Sequence, residues 1–165
     1  YEYYFIEAIK CHHNEIADYF LNNYLQYDNN YARFIIDTFL KNYNFAFIQD
    51  KYINESTFDS LVRYDYYILV DTLLKSQNID LNKLTIYTKK VICDNEKSYY
   101  SALYIASKKN NIEIVSLLLS NPSINVNIRN NNNETPLFIA IENNNIEVVQ
   151  LLLSNPNIDI NANII

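Results

Sequence analysis

The residues with the greatest chemical reach are Cys11, His12 and His13, a contiguous set of metal-ligand types. A structural zinc site closes with four such ligands at set spacing, and downstream there is only Cys93, because the chain has 2 histidines in all. Ligand count favours a turn over a metal centre, and neither metal nor cofactor is expected. The same two histidines do not make a catalytic triad, since no motif places a serine or cysteine nucleophile beside them. Carboxylates are plentiful, yet Glu113 and Glu147 recur at one repeated position, which marks a solvated helix face rather than an acid–base pair in a cleft. The triplets starting at Asn54 and Asn133 match the N-glycosylation pattern, which so asparagine-rich a chain meets by chance. Glycine is absent altogether. Dinucleotide fingerprints, phosphate-binding loops and nucleophile elbows all need glycine where the backbone turns sharply or approaches phosphate, so none of the three lies within these residues. No enzyme activity is expected.

What these residues sit on is set by an internal repeat. Ser101 to Ala106 aligns with Thr135 to Ala140, and Asn111 to Ser120 aligns with Asn145 to Ser154, both at an offset of 34. With more tolerance Phe5 to Leu21 and Phe58 to Leu74 align with Leu137 to Leu153, the latter at an offset of 79. Within a copy, Leu103 and Ala106, then Ile112, Val115, Leu118 and Leu119, fall at helical spacing. Each copy therefore reads as two short antiparallel helices that cannot bury their apolar faces alone. Neighbouring copies must stack, which makes a solenoid.

The pattern resembles the ankyrin repeat family. Thr135-Pro136-Leu137, Ala140, Val148-Val149, Leu151-Leu152-Leu153, Asp159 and Asn161 stand where that family has its T-P-L-H-x-A, V-V-x-L-L-L and G-A-D-x-N residues. The N-terminal part is similar to the divergent leading repeats of Asn-rich protist ankyrin proteins with AT-biased coding. The resemblance implies an all-α stack of about five helix pairs with short finger loops, filling residues 1–165 as one domain. Its second pair, within 27–55, is irregular: Phe34, Ile35, Phe39 and Leu40, then Phe45 and Ile48, carry the apolar spacing. A loop insertion is expected at about 84–95, because eighteen residues separate Asn82 from Ser101 where seven join Asn127 to Thr135. Asn110 and Asn144 replace the family's turn glycine, and Asn133 stands at the finger turn; Asn tolerates the left-handed conformation best after Gly. Tyr104 and Phe138 replace the family's histidine, with aromatic stacking expected to compensate. The run from Ile160 to Ile165 reads as the start of a link to another repeat, so the solenoid is expected to continue beyond it.

Composition limits the partners. A net charge of −6 and a pI near 4.8 argue against nucleic acid, whose binding rests on phosphate neutralisation. Cys11 and Cys93 have no framework spacing, as expected of free thiols inside a cell, in the cytoplasm. No run is long enough and apolar enough to span a membrane.

The resemblance implies binding of another protein, with this segment as a scaffold or as a non-catalytic regulatory part of a larger enzyme or effector. The contacting positions it implies flank the finger turn and line the outward side of the first helix. In the last copy they are Asn131, Asn132, Glu134, Glu142 and Asn143. One copy earlier they are Lys97, Ser98, Tyr100, Lys108 and Lys109, and at the offset of 79 they are Tyr52, Ile53, Glu55, Arg63 and Tyr64. Phe5, Phe20, Phe58, Tyr104 and Phe138 read as core, and Tyr52, Tyr64 and Tyr100 as exposed anchors. A third possibility is an anionic surface met by Lys83, Lys89, Lys90, Lys97, Lys108 and Lys109.

Overall fold

The computed structural model describes residues 1–25, 29–42, 57–76, 79–88 and 97–162. Four helix pairs follow the repeat: α1 (Glu2–Lys10) with α2 (Asn14–Tyr24), α4 (Phe58–Arg63) with α5 (Tyr67–Ser76), α6 (Ala102–Lys109) with α7 (Ile112–Leu119), and α8 (Pro136–Glu142) with α9 (Ile146–Leu153). Between the first two pairs lies α3 (Asn29–Lys41), packed on α1 and α4 in line with the first helices of the pairs, where the sequence reading expects the first half of the irregular pair. Its Ile35, Ile36, Phe39 and Leu40 are fully buried, with Phe39 6.1 Å from the Phe5 ring. The rest of that pair, including Phe45 and Ile48, lies outside the described residues.

Inner helices stack α1–α3–α4–α6–α8, and outer helices stack α5–α7–α9 beside them. An inner helix is enclosed by its neighbours and its own partner, so all of Ala102 to Ser107 is buried. An outer helix buries one stripe, Ile114, Val115 and Leu118 in α7 and Val148 and Leu152 in α9. On the far side of the last pair Phe138, Ile141, Ile146, Leu153 and Ile160 are exposed. Phe138 thus departs from its expected core role: its counterpart Tyr104 is covered by α8, whereas Phe138 has no described helix over it and is 37% exposed against 3%.

The turn inside each pair is built the same way four times. The amides of His13, Tyr66, Asn111 and Asn145 donate to the carbonyls of Ala8, Leu61, Ala106 and Ala140 at 2.8 to 3.0 Å. The residue before each, His12, Asp65, Asn110 or Asn144, takes a left-handed φ of 56 to 62°. This is the helix stop that usually carries glycine. Asparagine fills it twice as expected, and Asn133 takes φ 61° in the finger turn. At the helix starts, the Ser101 and Thr135 hydroxyls accept from the amides of Tyr104 and Phe138 at 3.2 Å, and Pro136 occupies the first turn where its missing N–H costs nothing.

The insertion is not simply a loop. Its flanks form an antiparallel hairpin, β1 (Thr85–Thr88) with β2 (Lys97–Tyr100), in the register Thr85 to Tyr100 and Thr88 to Lys97. β-branched and aromatic residues at these positions favour the pleated chain, a preference masked in the sequence by the surrounding helical repeat. Residues 89–96 lie outside the described residues.

Asn110→Gly is expected to leave the urea midpoint unchanged or raised. Asn110→Val is expected to lower stability by ~1–2 kcal/mol, because a branched Cβ clashes at positive φ. Equal midpoints for the two variants would refute the helix-stop assignment.

Candidate functional site

Expected partner positions come together where β2, α6 and the following finger meet. The Tyr100 ring lies flat on Tyr104, centroids 4.7 Å apart and planes 14° apart, and the Lys108 ammonium sits 5.8 Å from the centre of the Tyr100 ring. Tyr104, buried on α6, donates its hydroxyl to the Glu134 Oε2 at 2.7 Å. That carboxylate also accepts from the Asn130 side-chain amide at 2.6 Å. Asn130 in turn holds the finger by accepting, through its Oδ1, the amides of Asn132 and Glu134 at 2.9 Å. The next finger residue, Asn131, accepts the Tyr99 amide at 3.0 Å and so ties the hairpin to the last repeat.

Around this frame Lys108, Lys109, Asn131, Asn132, Glu142 and Asn143 are exposed, and Glu134 is half-buried. Tyr100 is also half-buried, packed on the core, rather than the freely exposed anchor that sequence spacing suggests. Its stacking on Tyr104 accounts for the difference. Tyr64 is half-buried too, just past α4. Arg63, the last residue of α4, lies 3.8 Å from the Asp37 carboxylate of α3. Lys97 and Ser98 pair with Thr88 and Tyr87 in the hairpin. Tyr52, Ile53 and Glu55 lie outside the described residues, as do Lys89 and Lys90 of the basic set.

Two residues central to this frame were not among the expected contact positions. Tyr104 is buried, as its core position implies, yet its hydroxyl reaches Glu134 of the finger. The Asn130 side chain carries three hydrogen bonds while the residue is 5% exposed. Its position opening an asparagine-rich turn is the only trace of this in the sequence. Cys11, His12 and His13 occupy the exposed turn between α1 and α2.

A family model of ankyrin repeats, three copies, matches residues 62–164, more than half of the chain. The chain belongs to the ankyrin repeat family. No curated protein matches it. Ankyrin repeats are in general protein–protein interaction modules without catalytic function. Among the described residues no helix is long and apolar enough to cross a membrane.

Burial, then the hydrogen bond to Glu134 and that carboxylate's charge, push the Tyr104 phenol well above its ordinary value near 10.0. A raised folded-state value leaves stability unchanged below pH 10.0 and erodes it as pH climbs beyond, where the unfolded phenol ionises and the folded one does not. Unfolding midpoints measured from pH 8 to 11 should therefore fall less steeply in Tyr104→Phe than in the parent chain, by up to ~1.4 kcal/mol per pH unit. Parallel curves would show that Tyr104 is not held neutral by this arrangement.

Proposed function

We propose that this ankyrin stack binds another protein through the strip formed by its fingers and the outward sides of its inner helices, and that it does so as a scaffold without catalysing a reaction. The observation that carries the reading is the junction at Tyr100. There Tyr100 stacks on Tyr104, whose hydroxyl is bound by Glu134, the Lys108 ammonium lies over the Tyr100 ring, and Asn131 and Asn132 of the finger are held by hydrogen bonds within the stack, leaving Lys108 and both asparagines in solvent. Little side-chain entropy remains to be lost on binding, which favours affinity at such a surface. Along the strip the chemistry grades from Arg63 and Tyr64, through Tyr100, Lys108 and Lys109, to Asn131, Asn132, Glu142 and Asn143. Partner anchors of opposite charge order fit that gradient. A regulatory role within a longer polypeptide uses the same strip and differs only in whether the partner is covalently attached.

Alanine at Tyr64 or Tyr100 is expected to weaken a co-purified partner by about 1 kcal/mol or more, with Arg63→Ala similar. Alanine at Glu113 or Glu147, on the outer helices, leaves that partner's affinity unchanged. Binding is measured by isothermal titration after circular dichroism confirms each fold. Intact affinity in the tyrosine variants, with loss in the glutamate variants, would move the site to the opposite face.

A further inference from the structure

The outer-helix face carries a second surface, distinct from the strip above. Between α5, α7 and α9 runs an open groove of about 510 Å³ whose apolar wall is made by Tyr67, Ile112, Leu117 and Leu151. Tyr67 is 42% exposed, so its ring presents apolar area to water at the groove. Glu113 stands on the groove wall and is exposed. Asp65, in the turn before α5, lies close enough that its carboxyl is pushed up, first by burial and then by the Glu113 charge. Neither α7 nor α9 contains a lysine or arginine, and the Lys75 ammonium of α5 is engaged by Asp71 at 2.6 Å. An apolar trough with the Glu113 carboxylate on its wall, the Asp65 carboxylate near enough to feel that charge, and no cation from α7 or α9 complements a ligand that brings both apolar side chains and positive charge.

We propose that this groove docks a cationic amphipathic helix of another protein, its apolar stripe against Tyr67, Ile112, Leu117 and Leu151 and its lysines or arginines beside Glu113 and Asp65. A helix suits the shape because the groove lies among three side-by-side helices, and apolar residues three and four apart along the ligand reach one wall. The rim charges attract the ligand and set its direction, while apolar burial supplies the affinity.

The test uses a synthetic peptide of about 14 residues with leucine at helical spacing and lysine elsewhere, titrated into the isotopically labelled chain, with the leucine–glutamate version as its counterpart. Amide shifts are expected to concentrate on Tyr67, Ile112, Leu117 and Leu151 for the lysine peptide, with none for the glutamate peptide. Glu113→Lys is expected to weaken binding by about tenfold or more, while Glu147→Lys, an identical change of net charge outside the groove, weakens it by less than about twofold. Tyr67→Ala should weaken it by about fivefold. Equal weakening by the two lysine variants would reduce the effect to attraction by an acidic protein and overturn the proposal. Shifts centred on Tyr100 and Lys108 would also overturn it, since the peptide would then occupy the inner strip. Failure here leaves the inner-strip reading intact, because that is read from Tyr64 and Tyr100 variants against a different ligand.

Discussion

Between successive repeats, the loop amides of Asn125 and Asp159 donate to the side-chain oxygens of Asn82 and Asn127, at 2.7 and 2.9 Å. The same two side chains donate to the carbonyls of Ser123 and Asn157, at 2.9 and 2.8 Å. Each asparagine thus satisfies a donor and an acceptor of the next repeat's loop, as one strand would for another. A second pair of asparagines works at the helix turns, where Asn111 and Asn145 donate to the carbonyls of Val62 and Ser107 in the preceding repeat, at 3.2 and 2.8 Å. Apolar stacking supplies most of the free energy but is tolerant of sliding, whereas hydrogen bonds of this kind, each worth about 1 kcal/mol, fix one register. Finger, inner strip and outer groove all combine residues from adjacent repeats, so all three inherit that register.

These asparagines also shape the loops they belong to. Asn121, Asn125 and Asn155 accept the amide two residues ahead at 3.0 Å, and Asp80 and Asp159 do so at 3.0 and 2.9 Å. Such turns give the backbone a partner without glycine and without regular structure. Between the loops, Ile79, Leu81 and Val126 are buried. Four left-handed helix stops and a left-handed finger turn are accommodated on His, Asp and Asn, residues whose short or planar polar side chains are over-represented there. A composition without glycine is thus compatible with a stack because asparagine stands in for glycine at turns and bridges repeats at loops.

The helix pairs were legible in the sequence, because leucine and valine at helical spacing recur at one offset, and Asn110 and Asn144 announce the turns. The asparagine bridges were not. Asn82 and Asn125 are 43 residues apart, and although Asn127 and Asn161 recur at the repeat offset, periodicity does not say which backbone groups of the neighbouring loop they meet. The hairpin before α6 was hidden for another reason, since strand pairing is a long-range choice and its two segments interrupt the helical period. At the site, sequence spacing makes Tyr100 an exposed anchor, whereas it is half-buried, because it stacks on Tyr104 and that contact depends on two rotamers. It placed Phe138 in the core by equivalence with Tyr104, although burial at that position depends on the helix that covers it.

Native-state hydrogen exchange tests the register account most directly. The Asp159 amide lies in an exposed loop, so local solvation alone would let it exchange fast. The account predicts that it is protected in the parent chain, that Asn127→Ala removes this protection, and that the Asn125 amide, held by Asn82, keeps its own in the same variant. Fast exchange at both amides in the parent chain, or unchanged protection of Asp159 in Asn127→Ala, would contradict it.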